Sequence, residues 1–199
     1  MTVGPRIEPL PPDDWPEELA GIAGVVPSGS DAPLMSHNIF RTLARHPDLF
    51  RTWLPFGGYL LGGGTLPGRD RELLILRTAV RCGSSYEWGQ HVVIASRAGV
   101  EREAIERVRE GPEAGGWTEH EQALLRAADE LHDSSSLSDA TWAALARRYD
   151  QRQLIEVTIL VGEYHLVAFA LNSLRVELDD GLEPLPGHPD LEDPASAGN

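Results

Sequence analysis

The chain has 199 residues, 41% of them hydrophobic and 24% charged. That is a globular composition, long enough for one core that buries roughly 70% of the unfolded chain's surface. Its 17 basic residues, all arginine, face 31 acids for a net charge of −14, a sign that repels nucleic acid and anionic membranes, whose affinity rests on Lys and Arg neutralising phosphate. The missing lysine excludes a lysine Schiff base and a Walker-A loop. The single cysteine, Cys82, excludes an intrachain disulfide, a Cys-x-x-Cys pair and a multi-cysteine zinc site.

In chain order, residues 1–16 read as an irregular segment, with a short helix opened by Asp13-Asp14 and Pro16. Helical patterns follow over Leu34–Arg45 and Pro47–Leu61, the latter interrupted by the glycines of GGYLLGGG. Arg69–Arg81 carries Leu73, Leu74, Leu76, Ala79 and Val80 and stops at Gly83; Ser84 or Ser85 then caps a helix to about Arg97, with Gly99 as its left-handed stop. Glu101–Arg109 is short and charged. Thr118-x-x-Glu121 is a capping box opening a helix to about His132. Ser138 or Asp139 opens another to Tyr149, and Gln151–Leu178 gives the longest and most apolar one, suited to a bundle centre or a subunit interface.

Fourteen of the fifteen prolines fall before residue 68 or after residue 183, leaving Pro112 alone in the middle stretch. Few breakers and few β-branched alternations predict an all-α fold. The expected organisation is an irregular segment 1–16, one helical domain 17–183 and a disordered acidic tail 184–199. The seven acids after Arg175, with no base among them, read as solvated. No apolar run approaches the ~18 residues of a membrane span, and the N-terminus lacks a basic region followed by an apolar stretch. A cytoplasmic, soluble protein is expected, without nucleic-acid or membrane partners.

The chemistry concentrates in Ser84-Ser85-Tyr86-Glu87-Trp88-Gly89-Gln90-His91. Glu87 and His91 lie one helical turn apart on one face, with Ser84 within ~60° of them. Burial raises a carboxylate pKa and lowers an imidazole pKa while mutual attraction opposes both shifts, so such a pair can be poised for acid–base work near neutral pH. As an exposed ion pair it would contribute only a few tenths of a kcal/mol. Metal spacing is absent: there is no Glu-x-x-His, the nearest approach being Asp129-x-x-His132. Neither a metal nor a cofactor is expected. Trp53, Trp88, Trp117 and Trp142 read as interhelical packing, and His120, His132 and His188 as exposed.

The run RELLILRTAVRCGSSYEWGQHVVIASRAGV, and more loosely residues 34–178, resembles the carboxymuconolactone decarboxylase family, which includes the alkylhydroperoxidase-D-like proteins. Supporting features are Arg45-His46-Pro47, Leu54-Pro55-Phe56, Arg71-Glu72 and Gly162-Glu163-Tyr164-His165. The resemblance implies a compact helical bundle assembling into homo-oligomers, with trimer or hexamer favoured. Peroxidase members carry Cys-x-x-Cys-x-x-x-His and a glutamate nineteen residues before that histidine. His91 matches the histidine and Glu72 the glutamate, whereas the cysteine positions fall on Ser84 and Glu87, and Cys82 is two residues out of register.

What remains is Glu72, Glu87 and His91, implying a cofactor-independent lyase or isomerase working by general acid–base chemistry on a small organic acid or lactone. In this reading His91 delivers the proton, Glu87 is its partner and Glu72 orients the imidazole. Ser84, Tyr86, Trp88, Arg77, Arg81 and His165 are the expected substrate-binding residues. Thiol-dependent peroxide reduction through Cys82 and a non-catalytic oligomeric binding protein are the alternatives.

Overall fold

In a computed structural model, described over residues 4–187, the chain is all-helical, with eight α-helices and no strand among the described residues. They are α1 Asn38–Leu43, α2 Pro47–Gly58, α3 Gly68–Cys82, α4 Ser85–Arg97, α5 Arg102–Val108, α6 Glu119–Ser134, α7 Asp139–Ala146 and α8 Gln151–Leu174. Three 3₁₀ turns precede α1. The helix expected after Asp13-Asp14 is thus reduced to Pro12–Asp14 and Glu17–Leu19, and the first third of Leu34–Arg45 to a turn at Leu34–Ser36.

Helix α3 is the axle of the bundle, packing on α4, α6 and α8. Leu74 and Ile75 face the cluster built with Leu124, Leu160 and Val161, while Leu73 and Leu76 face a second cluster with Trp88, Ile105 and Leu125. An axle enclosed on both sides is buried at every position from Glu72 to Ala79, and burying each large apolar side chain contributes on the order of 1.5–3 kcal/mol. Helix α8 reaches a mean hydropathy of 1.7 over its most apolar window, long and apolar enough to cross a membrane by length and composition, in contrast to the sequence expectation; half of that window is buried inside the bundle.

Three helices end three residues or more before the expected point; α7 stops at Ala146, short of Tyr149. Helix α2 loses its register near Pro55, which withdraws one backbone donor from the ladder, and passes into a π turn over Tyr59–Gly63. Helix α8 stops at Leu174, four residues early, through Arg175 in the left-handed region (φ 53°). From there the chain runs over α1 and α4, where Asp179 is half-buried among four donors: the Asn38 backbone N–H (2.8 Å), the Tyr86 hydroxyl (2.8 Å), the Gln90 amide (2.6 Å) and His37 Nδ1 (2.9 Å). Those donors hold the Asp179 carboxyl below its ordinary pKa against the upward push of burial. Asp179 is therefore a structural clamp, not part of a solvated acidic run.

The segment is received closely. A Cβ on Gly89 of α4 would lie 2.9 Å from the Glu183 carbonyl oxygen, so only glycine fits there. Leu185, inside the span expected to be a free tail from residue 184, is buried against the second cluster; residues 188–199, with His188, lie outside the described part.

Candidate active site

The helix pair α3–α4 sets the site. Gly83 ends α3 with φ 59°, and α4 starts two residues later. The tight reversal brings Glu72 on α3 opposite His91 on α4. Glu72 is wholly buried; its Oε2 lies 2.7 Å from His91 Nδ1, and its Oε1 accepts 2.8 Å from Arg71 Nε. With Glu72 accepting at Nδ1, the His91 proton sits there and Nε2 is left as the free lone pair. The Tyr164 ring stands edge-on to the imidazole at 4.9 Å and fixes its plane.

His91 forms part of the wall of a cavity of about 350 Å³, together with Glu87, Glu163, Tyr164, Trp53 and Phe40; the 25–37 segment, through Val25, Val26 and Leu34, closes another side. The lining is largely apolar and, among the described residues, contains no arginine. Glu87 is 2% exposed, and neither carboxyl oxygen has a hydrogen-bond partner. Burial pushes its pKa well above the usual carboxylate range, and the nearby Glu163 adds to the push. Glu163 is raised by burial too, against a 2.5 Å hydrogen bond from the Trp53 indole N–H. The cavity thus has the outer imidazole nitrogen of His91 on one side and two carboxyls biased toward the protonated form on the other.

Glu72, Glu87 and His91 are brought together as the spacing predicts, with one change of pairing. The carboxylate bonded to His91 is Glu72 and not Glu87, because α3 faces the Nδ1 edge of the ring while Glu87 lies a turn away without a partner.

The expected substrate-binding residues fare differently. Tyr86 lines the cavity, but its hydroxyl is committed to Asp179 and the Ile39 N–H. Ser84 is buried at the N-cap of α4 with its Oγ unbonded, and Trp88 is buried in the second cluster; neither lines the cavity. Arg77 is locked in a two-pronged pair with Asp129 (2.7 and 2.9 Å) and bonds the Val108 and Arg109 carbonyls, and Arg81 pairs with Asp133 at 2.5 Å. Neither reaches a substrate, since each faces α6 across from the cavity.

His165 points away as well, to His132 at 3.0 Å. His120, expected exposed, is held by Asp70 (2.9 Å) and Tyr149 (3.2 Å), and His132 is half-buried. Trp53 packs on Phe40 of α1 as expected and also lines the cavity, whereas Trp142 is exposed where interhelical packing was expected. The sequence missed Trp53, Phe40 and Tyr164 as cavity walls; only Glu163, in the Gly-Glu-Tyr-His run, carried a signal. Cys82 is outside the cavity wall, and burial pushes its thiol up to about 12.

This helical arrangement is the AhpD-like fold. It superposes on the alkylhydroperoxidase AhpD core of an uncharacterized peroxidase-related protein from Ralstonia eutropha JMP134 with a TM-score of 0.74 at 18% identity, covering 90% of this chain and 95% of that one. A peroxidase-related protein from Silicibacter sp. TM1040 gives 0.72 at 13% identity over 94% and 97%. A Cys-to-Ala variant of the debrominase Bmp8 in complex with 2,3,4-tribromopyrrole gives 0.65 at 18% over 90% and 95%. The carboxymuconolactone decarboxylase family model matches residues 47–130, the stretch that carries Glu72, Glu87 and His91. No curated protein matches it.

Proposed function

We propose that the cavity carries out cofactor-independent acid–base chemistry on a small lactone or cyclic carbonyl compound, as a lyase or isomerase. The observation that carries this reading is the pairing of a Glu72-oriented His91 with an unpartnered, buried Glu87 on one apolar cavity. The match of residues 47–130 to the carboxymuconolactone decarboxylase family model supports an enzyme of this general kind.

In the proposed reaction His91 Nε2 removes the proton from carbon beside the carbonyl. The C–H electron pair moves to form the enol while Glu87 gives its proton to the carbonyl oxygen. For isomerisation, the imidazolium returns the proton to a different carbon while the Glu87 carboxylate takes back the enol O–H proton. For decarboxylation, the C–C electron pair replaces the C–H pair and carbon dioxide leaves; His91, having taken a proton from solvent, then delivers it to the carbon left behind as Glu87 takes back the enol O–H proton. Glu72, with Arg71 behind it, keeps the ring in its productive tautomer.

The cavity volume suits a ring-sized substrate. Its lack of arginine favours the lactone over the free organic acid, because a polyanion would meet no fixed cation. The Bmp8 fold binds a small apolar ring, tribromopyrrole, in keeping with that size class. Thiol-dependent peroxide reduction is not favoured: the thiol is displaced from the cavity and held protonated, and the chain has no second cysteine.

The test is proton wash-in. A panel of lactones and cyclic ketones in deuterium oxide should acquire deuterium at the carbon beside the carbonyl, read by NMR, or show turnover. His91→Ala should abolish exchange, and Glu87→Gln should slow it at least ~100-fold, both with the helical circular dichroism intact. Exchange that survives both substitutions removes these residues from the chemistry.

A further inference from the structure

Outside the wall of the cavity, three helices converge on a second cluster. Cys82 ends α3, His132 lies in the last turn of α6, and His165 sits mid-way along α8. The residues are 50 and 33 positions apart in sequence, so no metal spacing announces them. Their ligand atoms, Sγ, Nδ1 of His132 and Nε2 of His165, all lie within 4.8 Å of one another, and all three residues are half-buried. His132 Nδ1 is 3.0 Å from His165 Nε2 and 3.9 Å from Cys82 Sγ.

We infer that Cys82, His132 and His165 form a binding site for a zinc-class divalent cation, separate from the acid–base cavity. Metal–nitrogen bonds of about 2.0–2.1 Å and metal–sulfur bonds of about 2.3 Å at tetrahedral angles require donor separations of about 3.3–3.6 Å. The His132–His165 and His132–Cys82 separations bracket that range and the third pair lies within 4.8 Å, so side-chain shifts of up to about an ångström bring the three donors onto one ion. The donor set, one thiolate and two imidazoles, selects zinc over magnesium or calcium.

His165 is already oriented as a ligand. Its Nδ1–H donates to the Val161 carbonyl at 2.8 Å, which fixes the tautomer and directs the Nε2 lone pair into the cluster. Asn172 holds the Cys82 carbonyl at 2.9 Å and so positions the end of α3. Nearby charges are balanced in pairs, Arg81 with Asp133 and Arg77 with Asp129. Binding forms the metal–sulfur bond and releases the thiol proton to solvent. Three protein donors leave a fourth position for water or another small ligand.

The experiment uses the full chain, stripped with chelator and titrated with Co²⁺ and then Zn²⁺. The expected result is one equivalent per chain, a thiolate-to-cobalt charge-transfer band in the near ultraviolet, loss of that band on zinc addition, and a zinc-dependent rise in melting temperature. His132→Ala and His165→Gln should each weaken zinc binding at least 100-fold, and Cys82→Ser should remove the charge-transfer band. The wild-type band reads thiolate ligation even if a variant fails to fold. No band, or zinc affinity unchanged in folded variants, overturns the site. None of these readouts depends on turnover at the Glu72–His91 cavity, so the two proposals stand or fall separately.

Discussion

Glu87 is the residue at which burial and chemistry conflict most sharply. A carboxyl without a hydrogen bond in an apolar wall is held protonated, so the native state retains a proton that the unfolded chain releases above its ordinary value near 4.5. Between that value and the raised native pKa the unfolded state binds fewer protons, and stability falls as pH rises; the favourable contribution is fully present only below the unfolded pKa. Glu87→Gln has no proton to lose. Its melting temperature relative to wild type should therefore climb steadily from about pH 5 to about pH 8, as read by thermal melts across buffers. A flat difference would mean that Glu87 is ionised in the native protein. The sequence revealed Glu72 through its nineteen-residue offset from His91 and gave it the orienting of the imidazole, but it also made Glu87 a direct partner, which the structure leaves unbonded. Helical spacing places Glu87 and His91 on one face, yet only the α3–α4 reversal decides which acid meets Nδ1. Asp179 was illegible for a related reason: in a run of acids without bases, nothing local says that four donors from α1 and α4 are waiting.

At the scale of the element, the end of α8 is the least legible feature in the chain. Helices commonly stop at a glycine in the left-handed region, but here that residue is Arg175 (φ 53°, ψ 54°). The pattern of apolar residues runs on through Val176 and Leu178, which the structure uses in the packing around α1 instead. The early stop is imposed from outside, by the requirement that Asp179 reach His37 and Tyr86. A non-glycine residue in that region costs roughly 1–2 kcal/mol. Glycine removes the strain but adds roughly 0.5–1 kcal/mol of unfolded-state entropy. Arg175 is exposed, so Arg175→Gly should leave a net gain of about 0.5–1 kcal/mol, a melting-temperature rise of roughly 1–4 °C for a chain of this size. A fall would show that the arginine side chain contributes to stability. The other helices were legible because their signals are local. Thr118 and Glu121 form the expected capping box on α6, and Gly83 and Gly99 take the positive φ that the sequence assigns them.

Across the whole molecule, α8 is a core helix with a second face that this chain does not cover. Ile155, Ile159, Leu166 and Phe169 are exposed, Ile155 and Phe169 at 63%, and they recur with Gly162 at the alternating four- and three-residue spacing of a helix–helix seam. Leu49, Phe56 and Tyr59 of the α2 region are exposed as well. Apolar patches of that extent are rare on monomers. The seam itself carries no charge in a chain of net −14, so contact between copies brings apolar surfaces together without opposing like charges there. The same stripe on a two-fold-related copy would be self-complementary, each residue meeting its equivalent's neighbours. We therefore propose a second copy of this chain as the cover, in a homo-oligomer of at least two subunits with an interface of more than ~1,000 Å²; of the trimer and hexamer expected from the family resemblance, a two-fold seam fits the hexamer. Light scattering at micromolar concentration should return at least twice the chain mass of 21.8 kDa. Ile155→Glu with Ile159→Glu should reduce it to a single chain with its helical circular dichroism retained. These two positions are the ones to change, because Phe169 stands edge-on to His165 at 6.0 Å and would disturb the Cys–His cluster. A wild-type mass of 21.8 kDa, or an oligomer indifferent to the two glutamates, would move the interface off α8.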